Sequence, residues 1–411
     1  MEGKFLCPFP WMQISTEPEG SVRACCYGDS GKTLGLDVNS TFKISDAQLL
    51  EKKINHPELV KLRKSMLSGE IPNFCNGCKR REDVGENSPR RIFLDHYEKE
   101  FEILLGKTNL NSGELAVDDI SLLELTLGNT CNLKCRSCSP YFSSTLEKEF
   151  EQLGIDFSKE NVQEIQAFWK QGKLIDSLIL LSREVRELKF LGGEPLVTPI
   201  HNQLLSILIE KNLSSNMSLT YNTNLTLISD DILSKWSKFK SIKLDISIDG
   251  VGELNEYLRF PMKWEKFEKN LEKIFNEKDD LNIEVSFNTV FQAYNIPFII
   301  DLLEYLKPLS KKCPIVPYFI YLDYPYYLKG DVLKVSVLEE IKQRLSLYYS
   351  NNEEFYKNTL YGEKNLSNFS LLFSLLDLSI LENRTENYFD FIMFTKKLDK
   401  LRKQNYFRFL K

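Results

Sequence analysis

The sequence predicts an α/β fold in which parallel strands are joined by helical crossovers. Three observations support it: strand-length apolar runs recur along the middle of the chain, segments of helical period separate them, and turn-forming residues follow several of them. We expect six strands, at about 120–127, 185–191, 217–222, 241–248, 283–288 and 316–322.

Helical segments fill the intervals between the expected strands. Residues 142–182 form a mostly helical insertion between the first and second strands, and His201 to Lys211 is helical. Ser229 is the expected cap of a helix whose first turn carries two acidic residues, where the helix dipole favours them. Further helices are expected from Trp264 to Glu277 and from Pro297 to Leu306.

The predicted barrel-like region lies between two other regions, which gives three expected domains. Residues 1–105 are rich in cysteine and include an expected helix over 57–69, and 106–117 are typical of a linker. The α/β domain then covers 118–330. Residues 331–411 are expected to be helical, with core aromatic residues; the alternative is a surface that binds a peptide or a partner.

The composition of the chain argues against several classes of function. The chain has 411 residues, a hydrophobic fraction of 42% and a net charge of −5, so a strongly basic nucleic-acid footprint is absent and nucleic acid is not an expected partner. No apolar run reaches the roughly 20 residues of a membrane span, and the N-terminus lacks a signal-peptide pattern. Nine cysteines without an export signal favour the reducing cytoplasm.

Three cysteines follow the first predicted strand in the pattern CxxxCxxC: Cys131, Cys135 and Cys138. Three thiolates can hold three irons of a [4Fe–4S] cluster and leave the fourth iron open, whereas a closed cluster normally takes four cysteines. Buried packing thiols and a zinc site are the alternatives.

Polar and glycine-rich motifs close the next three predicted strands. They are 190–195 (FLGGEP), 221–224 (YNTN) and 246–250 (ISIDG). Each motif alone is an ordinary turn or strand end. Together they fall at the carboxyl ends of successive strands, the face at which barrel-like α/β folds bind ligands.

This ordered set of motifs resembles the radical S-adenosylmethionine (SAM) superfamily over residues 118–327. The resemblance implies an open partial (β/α)6 barrel. It also implies that SAM chelates the open iron, and that reductive cleavage of SAM gives a 5′-deoxyadenosyl radical, which abstracts a substrate hydrogen.

The resemblance also implies roles for individual residues. Cys131, Cys135 and Cys138 would ligate the cluster. The SAM-binding residues would be Gly192, Gly193 and Glu194 at the amino group, Asn222 and Asn224 on the third strand, Ser247 and Asp249 at the ribose, and Arg259 near the carboxylate. One departure is Ser137, which stands where the family usually has a bulky residue near the adenine.

A second cysteine set lies in the N-terminal region and resembles the auxiliary-cluster modules called SPASM and twitch domains. Those modules usually follow the core, whereas this one precedes it. The expected ligands of a second [4Fe–4S] cluster are Cys7, Cys25, Cys75 and Cys78, and Cys26 could exchange with Cys25. A structural zinc on the same four cysteines is the main alternative.

The expected function is therefore that of a cytoplasmic radical SAM enzyme. SPASM and twitch relatives most often modify ribosomal peptides or proteins, so a peptide or protein substrate is expected. An external electron donor such as a flavodoxin or ferredoxin would supply the electron. The alternatives are an enzyme acting on a sugar, nucleotide or RNA base, and a non-catalytic iron–sulfur or zinc protein.

Overall fold

The computed structural model describes residues 5–25, 42–83, 88–116, 120–322 and 324–410. Cys26, the predicted alternative to Cys25, lies outside the described residues.

Within the described residues, eight strands form one open sheet in the order β2-β1-β3-β4-β5-β6-β7-β8. Their bounds are β1 Gln13–Thr16, β2 Val22–Arg23, β3 Leu122–Thr126, β4 Glu187–Leu191, β5 Ser218–Thr223, β6 Ser241–Ser247, β7 Ile283–Phe291 and β8 Tyr318–Tyr321. β1 and β2 pair antiparallel, whereas β1 with β3, β3 with β4, β6 with β7 and β7 with β8 pair parallel. The predicted α/β class with an open parallel sheet is confirmed.

Helices connect the strands and make up most of the final third of the chain. They are α1 Phe9–Met12, α2 Ala47–Lys52, α3 Pro57–Ser68, α4 Asn76–Asp83, α5 Pro89–His96, α6 Glu98–Gly106, α7 Glu147–Leu153, α8 Lys159–Phe168, α9 Leu174–Leu181, α10 Pro199–Glu210, α11 Asp230–Trp236, α12 Glu253–Leu258, α13 Trp264–Glu277, α14 Ile299–Leu306, α15 Val335–Lys357, α16 Gly362–Glu382 and α17 Tyr388–Arg402.

Two compact units divide the chain. The first, unit 1, comprises Met1–Asn129, Lys159–Thr220 and Lys238–Lys240, and the second, unit 2, comprises Thr130–Ser158, Tyr221–Ser237 and Ser241–Lys411. The boundaries of these units differ from those of the three predicted domains, and the predicted domain boundaries stay a prediction.

Unit 1 contains a parallel sheet that extends into the N-terminal region. β1 pairs with β3, and the next parallel pair aligns Leu122 of β3 with Glu187 of β4. Ile14, Leu123 and Leu188 are fully buried along these strands. The sequence analysis did not predict β1 and β2, because each is too short to show an apolar period.

Unit 2 carries the second parallel set, in which buried and polar side chains alternate as a strand requires. On β6, Ile242, Leu244 and Ile246 are fully buried. The intervening polar residues share the other face, and there Ser247 is aligned with Asn288 of β7. The polar end of β6 is therefore the part of this strand that can meet a ligand.

Several helix predictions are confirmed to within a few residues. α13 has the predicted bounds, with Phe267 and Ile274 fully buried. The Ser229 hydroxyl accepts a hydrogen bond from the Ile232 N–H at 3.2 Å and so caps α11. α3 ends at Gly69 in the left-handed conformation (φ +90°), which favours glycine.

The predicted helical C-terminal region is also confirmed, as α15, α16 and α17. Asn365 of α16 attaches this region to the segment before β8, because its side-chain oxygen accepts hydrogen bonds from the N–H groups of Ile315 and Val316 at 3.0 and 3.1 Å. Among the described residues, no helix has the length and apolarity needed to cross a membrane.

Candidate metal centre

The three cysteines predicted as cluster ligands lie on a short segment of unit 2, which we call the cysteine loop (131–138). The Cys138 N–H donates to the Cys135 carbonyl at 3.1 Å, which folds the segment into a turn. Burial raises the pKa of the Cys138 thiol, and the neighbouring thiols of Cys135 and Cys131 raise it further. The three thiols of the loop therefore lie close enough for their charges to interact.

Backbone hydrogen bonds attach the cysteine loop to the end of α12. The Lys134 N–H donates to the Phe260 carbonyl at 2.6 Å, and the Arg136 N–H donates to the Leu258 carbonyl at 2.9 Å. The Ser143 hydroxyl donates to the Leu133 carbonyl at 2.8 Å. These bonds fix the backbone on both sides of Cys135.

A buried guanidinium, that of Arg136, fixes the centre of the loop. Arg136 donates to the Asp399 carboxylate of α17 and, at 2.9 Å, to the side chain of Gln404. Its guanidinium carbon lies 3.6 Å from the ring centroid of Tyr257, whose hydroxyl also donates to Asp399 at 2.8 Å. The loop is therefore tied to α17 by a buried ion pair.

A second buried guanidinium, that of Arg402 in α17, also binds the middle of the loop. Arg402 donates to the Glu149 carboxylate at 2.6 Å and to the Lys134 carbonyl, next to Cys135, at 2.7 Å. Lys134 itself contacts Glu149 at 3.4 Å. Sequence analysis did not find Arg136, Asp399, Arg402 or Glu149 as functional residues.

Arg259, predicted near the SAM carboxylate, lies beside the cysteine loop. Its Nη1 donates to Asp249 at 2.7 Å, while its Nε is buried without a hydrogen-bond partner among the described residues. Burial alone would lower the pKa of Arg259, but the facing Cys135 and Asp249 raise it. The spare donor is suited to an anionic group of a ligand.

Asp249, predicted to contact a ribose, is buried and fully engaged. One carboxylate oxygen accepts from Arg259 and the other accepts from the Val290 N–H at 2.9 Å. Its own N–H donates to the Asn255 side chain at 2.9 Å. In this structure Asp249 positions Arg259 and joins the end of β6 to β7.

Asn224, the second predicted asparagine of the third strand, is linked to the cysteine loop. Its amide donates to the Asn132 side chain at 3.0 Å, and its oxygen accepts from the Thr226 N–H at 2.9 Å. Asn132 in turn donates to the Thr226 hydroxyl at 2.7 Å. Asn222 is half-buried on β5, and Ser247 is half-buried at the end of β6.

The predicted Gly192-Gly193-Glu194 turn belongs to unit 1. Gly192 has φ +116°, and a Cβ there would lie 2.9 Å from the Gly128 carbonyl oxygen, so this position requires glycine. The Gly193 N–H donates to the same carbonyl at 3.3 Å. The buried Glu194 side chain accepts from the Leu196 N–H at 3.2 Å and caps a short 3-10 helix.

The four N-terminal cysteines of the predicted second cluster line one cavity in unit 1: Cys7, Cys25, Cys75 and Cys78. Burial raises the pKa of the Cys7 thiol, and Cys75 and Cys78 raise it further while Arg90 lowers it. Arg90 also lines the cavity and pairs with Glu82 at 2.5 Å. The cavity therefore joins cysteines that are far apart in the sequence, and their role as metal ligands stays a prediction.

Thiol-rich donor sets of these two kinds suit iron–sulfur clusters. No disulfide links the eight described cysteines. Within the described residues, however, no three His, Cys, Asp or Glu side chains have the spacing of a bound metal ion. The three-thiol loop and the four-thiol cavity supply the donor type that an iron–sulfur cluster needs.

Comparison with known proteins gives a family match over the segment that contains the cysteine loop. Residues 125–291 match the sequence model of the Radical SAM superfamily, a segment that includes all three cysteines of the loop. A GTP 3′,8-cyclase from Campylobacter lari is 25% identical over 247 residues, which cover 59% of this chain and 69% of that protein.

Solved structures that the chain matches include anSMEcpe with bound AdoMet and a Cp18Cys peptide, which is 19% identical with a TM-score of 0.38. The match covers 58% of this chain and 62% of the anSMEcpe chain, so this chain spans about three fifths of that protein. Streptococcus suis SuiB bound to S-adenosylmethionine is 14% identical with a TM-score of 0.35, over 83% of this chain and 68% of SuiB.

Replacing Asp399 by alanine tests the ion pair that holds the cysteine loop. The change leaves the Arg136 charge buried without its partner, so we expect the free energy of unfolding to fall by about 3–5 kcal/mol. Urea denaturation measures the loss. Asp390→Ala on the exposed side of the same helix is the matched control and should change it by less than about 0.5 kcal/mol. Equal losses in the two variants would show that the pair does not stabilise the loop.

Proposed function

We propose that this protein is a radical SAM enzyme that binds a [4Fe–4S] cluster through Cys131, Cys135 and Cys138, because residues 125–291 match the sequence model of the Radical SAM superfamily. The observation that carries the proposal is the cysteine loop, whose three neighbouring thiols lie within the matched domain. Three ligands, rather than four, leave one iron available to SAM.

The bound cluster would supply an electron that cleaves SAM, and the resulting 5′-deoxyadenosyl radical would take a hydrogen atom from the substrate. The chain's own residues orient the reactants and exclude water. Arg136 and Arg402 hold the loop backbone, while Asn132, Asn224 and Thr226 join it to the end of β5.

SAM binding is proposed through two separate sets of residues. In unit 2, Arg259 offers its spare Nε–H to the SAM carboxylate, and Asp249 holds Arg259 in place. Ser247 and Asn222 remain proposed polar contacts for SAM. In unit 1, Gly192, Gly193 and Glu194 are the proposed site for the amino group, and the absence of a Cβ at Gly192 lets backbone approach closely.

We also propose that the N-terminal cavity holds a second [4Fe–4S] cluster on Cys7, Cys25, Cys75 and Cys78. The support is that one cavity is lined by all four thiols together with the cation Arg90. A cation beside the site offsets the negative charge of four thiolates. Zinc on the same thiols is the alternative that metal analysis separates.

A peptide or protein is the proposed substrate. The support is the resemblance of the N-terminal cysteine set to SPASM and twitch modules, whose relatives most often modify ribosomal peptides or proteins. The electron would come from an external flavodoxin- or ferredoxin-type donor. The cysteine content favours the cytoplasm as the place of action.

A nucleotide substrate is the second candidate, favoured by the similarity to the Campylobacter lari GTP 3′,8-cyclase. The two candidates differ in a direct assay. GTP-dependent stimulation of 5′-deoxyadenosine formation, with loss of GTP, would favour the nucleotide, whereas no change in GTP would favour the peptide.

Replacing Cys135 by serine tests the enzyme proposal. Removal of one of three thiolates should prevent cluster assembly, so we expect 5′-deoxyadenosine formation from SAM and dithionite to fall to background. Anaerobic incubation followed by liquid chromatography measures it. Cys313→Ala, at a buried cysteine outside both cysteine sets, should retain the wild-type rate; retained turnover in Cys135→Ser would contradict the mechanism.

Metal analysis of Cys75→Ser tests the second cluster. The reconstituted wild-type protein should contain about eight irons and the variant about four, because each [4Fe–4S] cluster carries four. About four irons with one zinc in the wild-type protein, and loss of that zinc in the variant, would replace the second cluster by a structural zinc. Unchanged iron and zinc in Cys75→Ser would rule out a metal in this cavity.

A further inference from the structure

Arg402, the last residue of α17, lies against the cysteine loop with most of its donors already used. Its side chain is 2% exposed. Nη2 donates to the Lys134 carbonyl at 2.7 Å and to Glu149 at 2.6 Å, and Nε donates to Glu149 at 3.2 Å. These bonds fix the guanidinium plane beside the residue that precedes Cys135.

The remaining nitrogen of this guanidinium, Nη1, is buried without a hydrogen-bond partner among the described residues. A buried donor with no acceptor is unfavourable, and native structures usually satisfy such groups. A group that binds at the cysteine loop would supply the missing acceptor.

The charges around the cysteine loop indicate what kind of group would accept a hydrogen bond from Nη1 of Arg402. Arg402 is bound to the carbonyl of Lys134, the residue directly before Cys135, so its positive charge lies beside the central cysteine of the loop. Arg259 is neutralised by Asp249. Arg402 and Lys134 share the single carboxylate of Glu149, which leaves one excess positive charge beside the loop.

We propose that Arg402 is a positioning residue that tunes the cluster on the cysteine loop, with Nη1 donating an N–H to sulfur at Cys135. The ligand of this site is the anionic sulfur of a [4Fe–4S] cluster. The inference rests on the proposed function, because it requires that cluster. It also gives the C-terminal helical region a part in the redox chemistry rather than a structural part alone.

The sign of the effect follows from charge. Reduction adds one negative charge to the cluster, and a neighbouring cation with a hydrogen bond to sulfur stabilises the reduced form. Arg402 therefore raises the reduction potential. Removal of its charge should make the cluster harder to reduce, and removal of the Glu149 charge should make it easier to reduce.

An anaerobic redox titration of the full-length reconstituted protein, followed by electron paramagnetic resonance, tests this. The signal to follow is the one that Cys135→Ser lacks, which separates it from any N-terminal cluster. In Arg402→Gln we expect the ratio of reduced to oxidised cluster at a fixed potential to fall about tenfold, equivalent to about 59 mV for one electron.

Two further variants make the test specific. Glu149→Gln should shift the potential in the opposite direction, which a general loosening of the fold would not do. Arg408→Gln removes an arginine from an exposed pair with Glu253 in the same C-terminal segment, and should leave the potential unchanged.

An unchanged potential in Arg402→Gln with full iron content would overturn the inference. If Arg402→Gln does not retain its cluster, the reduction potential of Glu149→Gln tests the inference instead. A higher potential than in the wild-type protein supports the inference, and an unchanged or lower potential overturns it. A wild-type protein without any Cys135-dependent signal would overturn the proposed function itself, and the inference with it.

Discussion

Buried ion pairs that link the cysteine loop, α7 and α17 are the interactions on which the candidate site depends. A loop with three thiols must be rigid before metal binds, yet it has few apolar residues of its own with which to pack. The buried guanidinium groups of Arg136 and Arg402 hold the loop instead. The carboxylates of Asp399 and Glu149 neutralise their charges. Since an unpaired buried charge is strongly destabilising, the loop and the helix are held together.

The same constraint explains why a C-terminal helical region accompanies the α/β domain. The Tyr257 hydroxyl and the Tyr406 N–H both donate to Asp399, and the Tyr406 hydroxyl donates to the Tyr294 carbonyl at 2.8 Å. Both carboxylate oxygens of Asp399 therefore accept hydrogen bonds. The last residues of the chain thus contribute to the geometry of cysteines that lie more than two hundred positions earlier in the sequence.

Local patterns in the sequence predicted the parts of the fold that local physics determines. α13 was predicted with its observed bounds because its apolar residues keep a helical period, and the Ser229 cap follows from side-chain chemistry. The cysteine spacing also predicted two thiol sets, whose role as metal ligands stays a prediction. β1 and β2 were missed because strands of four and two residues carry no period.

The residues that support the site could not be predicted in the same way. Arg136 and Asp399 are 263 positions apart, and each alone resembles an ordinary surface charge. The basic character of the cysteine loop was a signal, but its partners depend on tertiary folding. Asp249 shows the converse: its motif pointed to a ligand, whereas the structure has both of its oxygens engaged by Arg259 and Val290.

In the proposed enzyme, the three thiolates of the cysteine loop leave one iron open to SAM. Electron–nuclear double resonance of the reduced protein, with SAM labelled with nitrogen-15 at its amino group, tests this most directly. We expect a nitrogen-15 coupling to the cluster, and we expect it to be absent when Cys135 is replaced. A cluster whose spectrum is unchanged by SAM, with no such coupling, would contradict it.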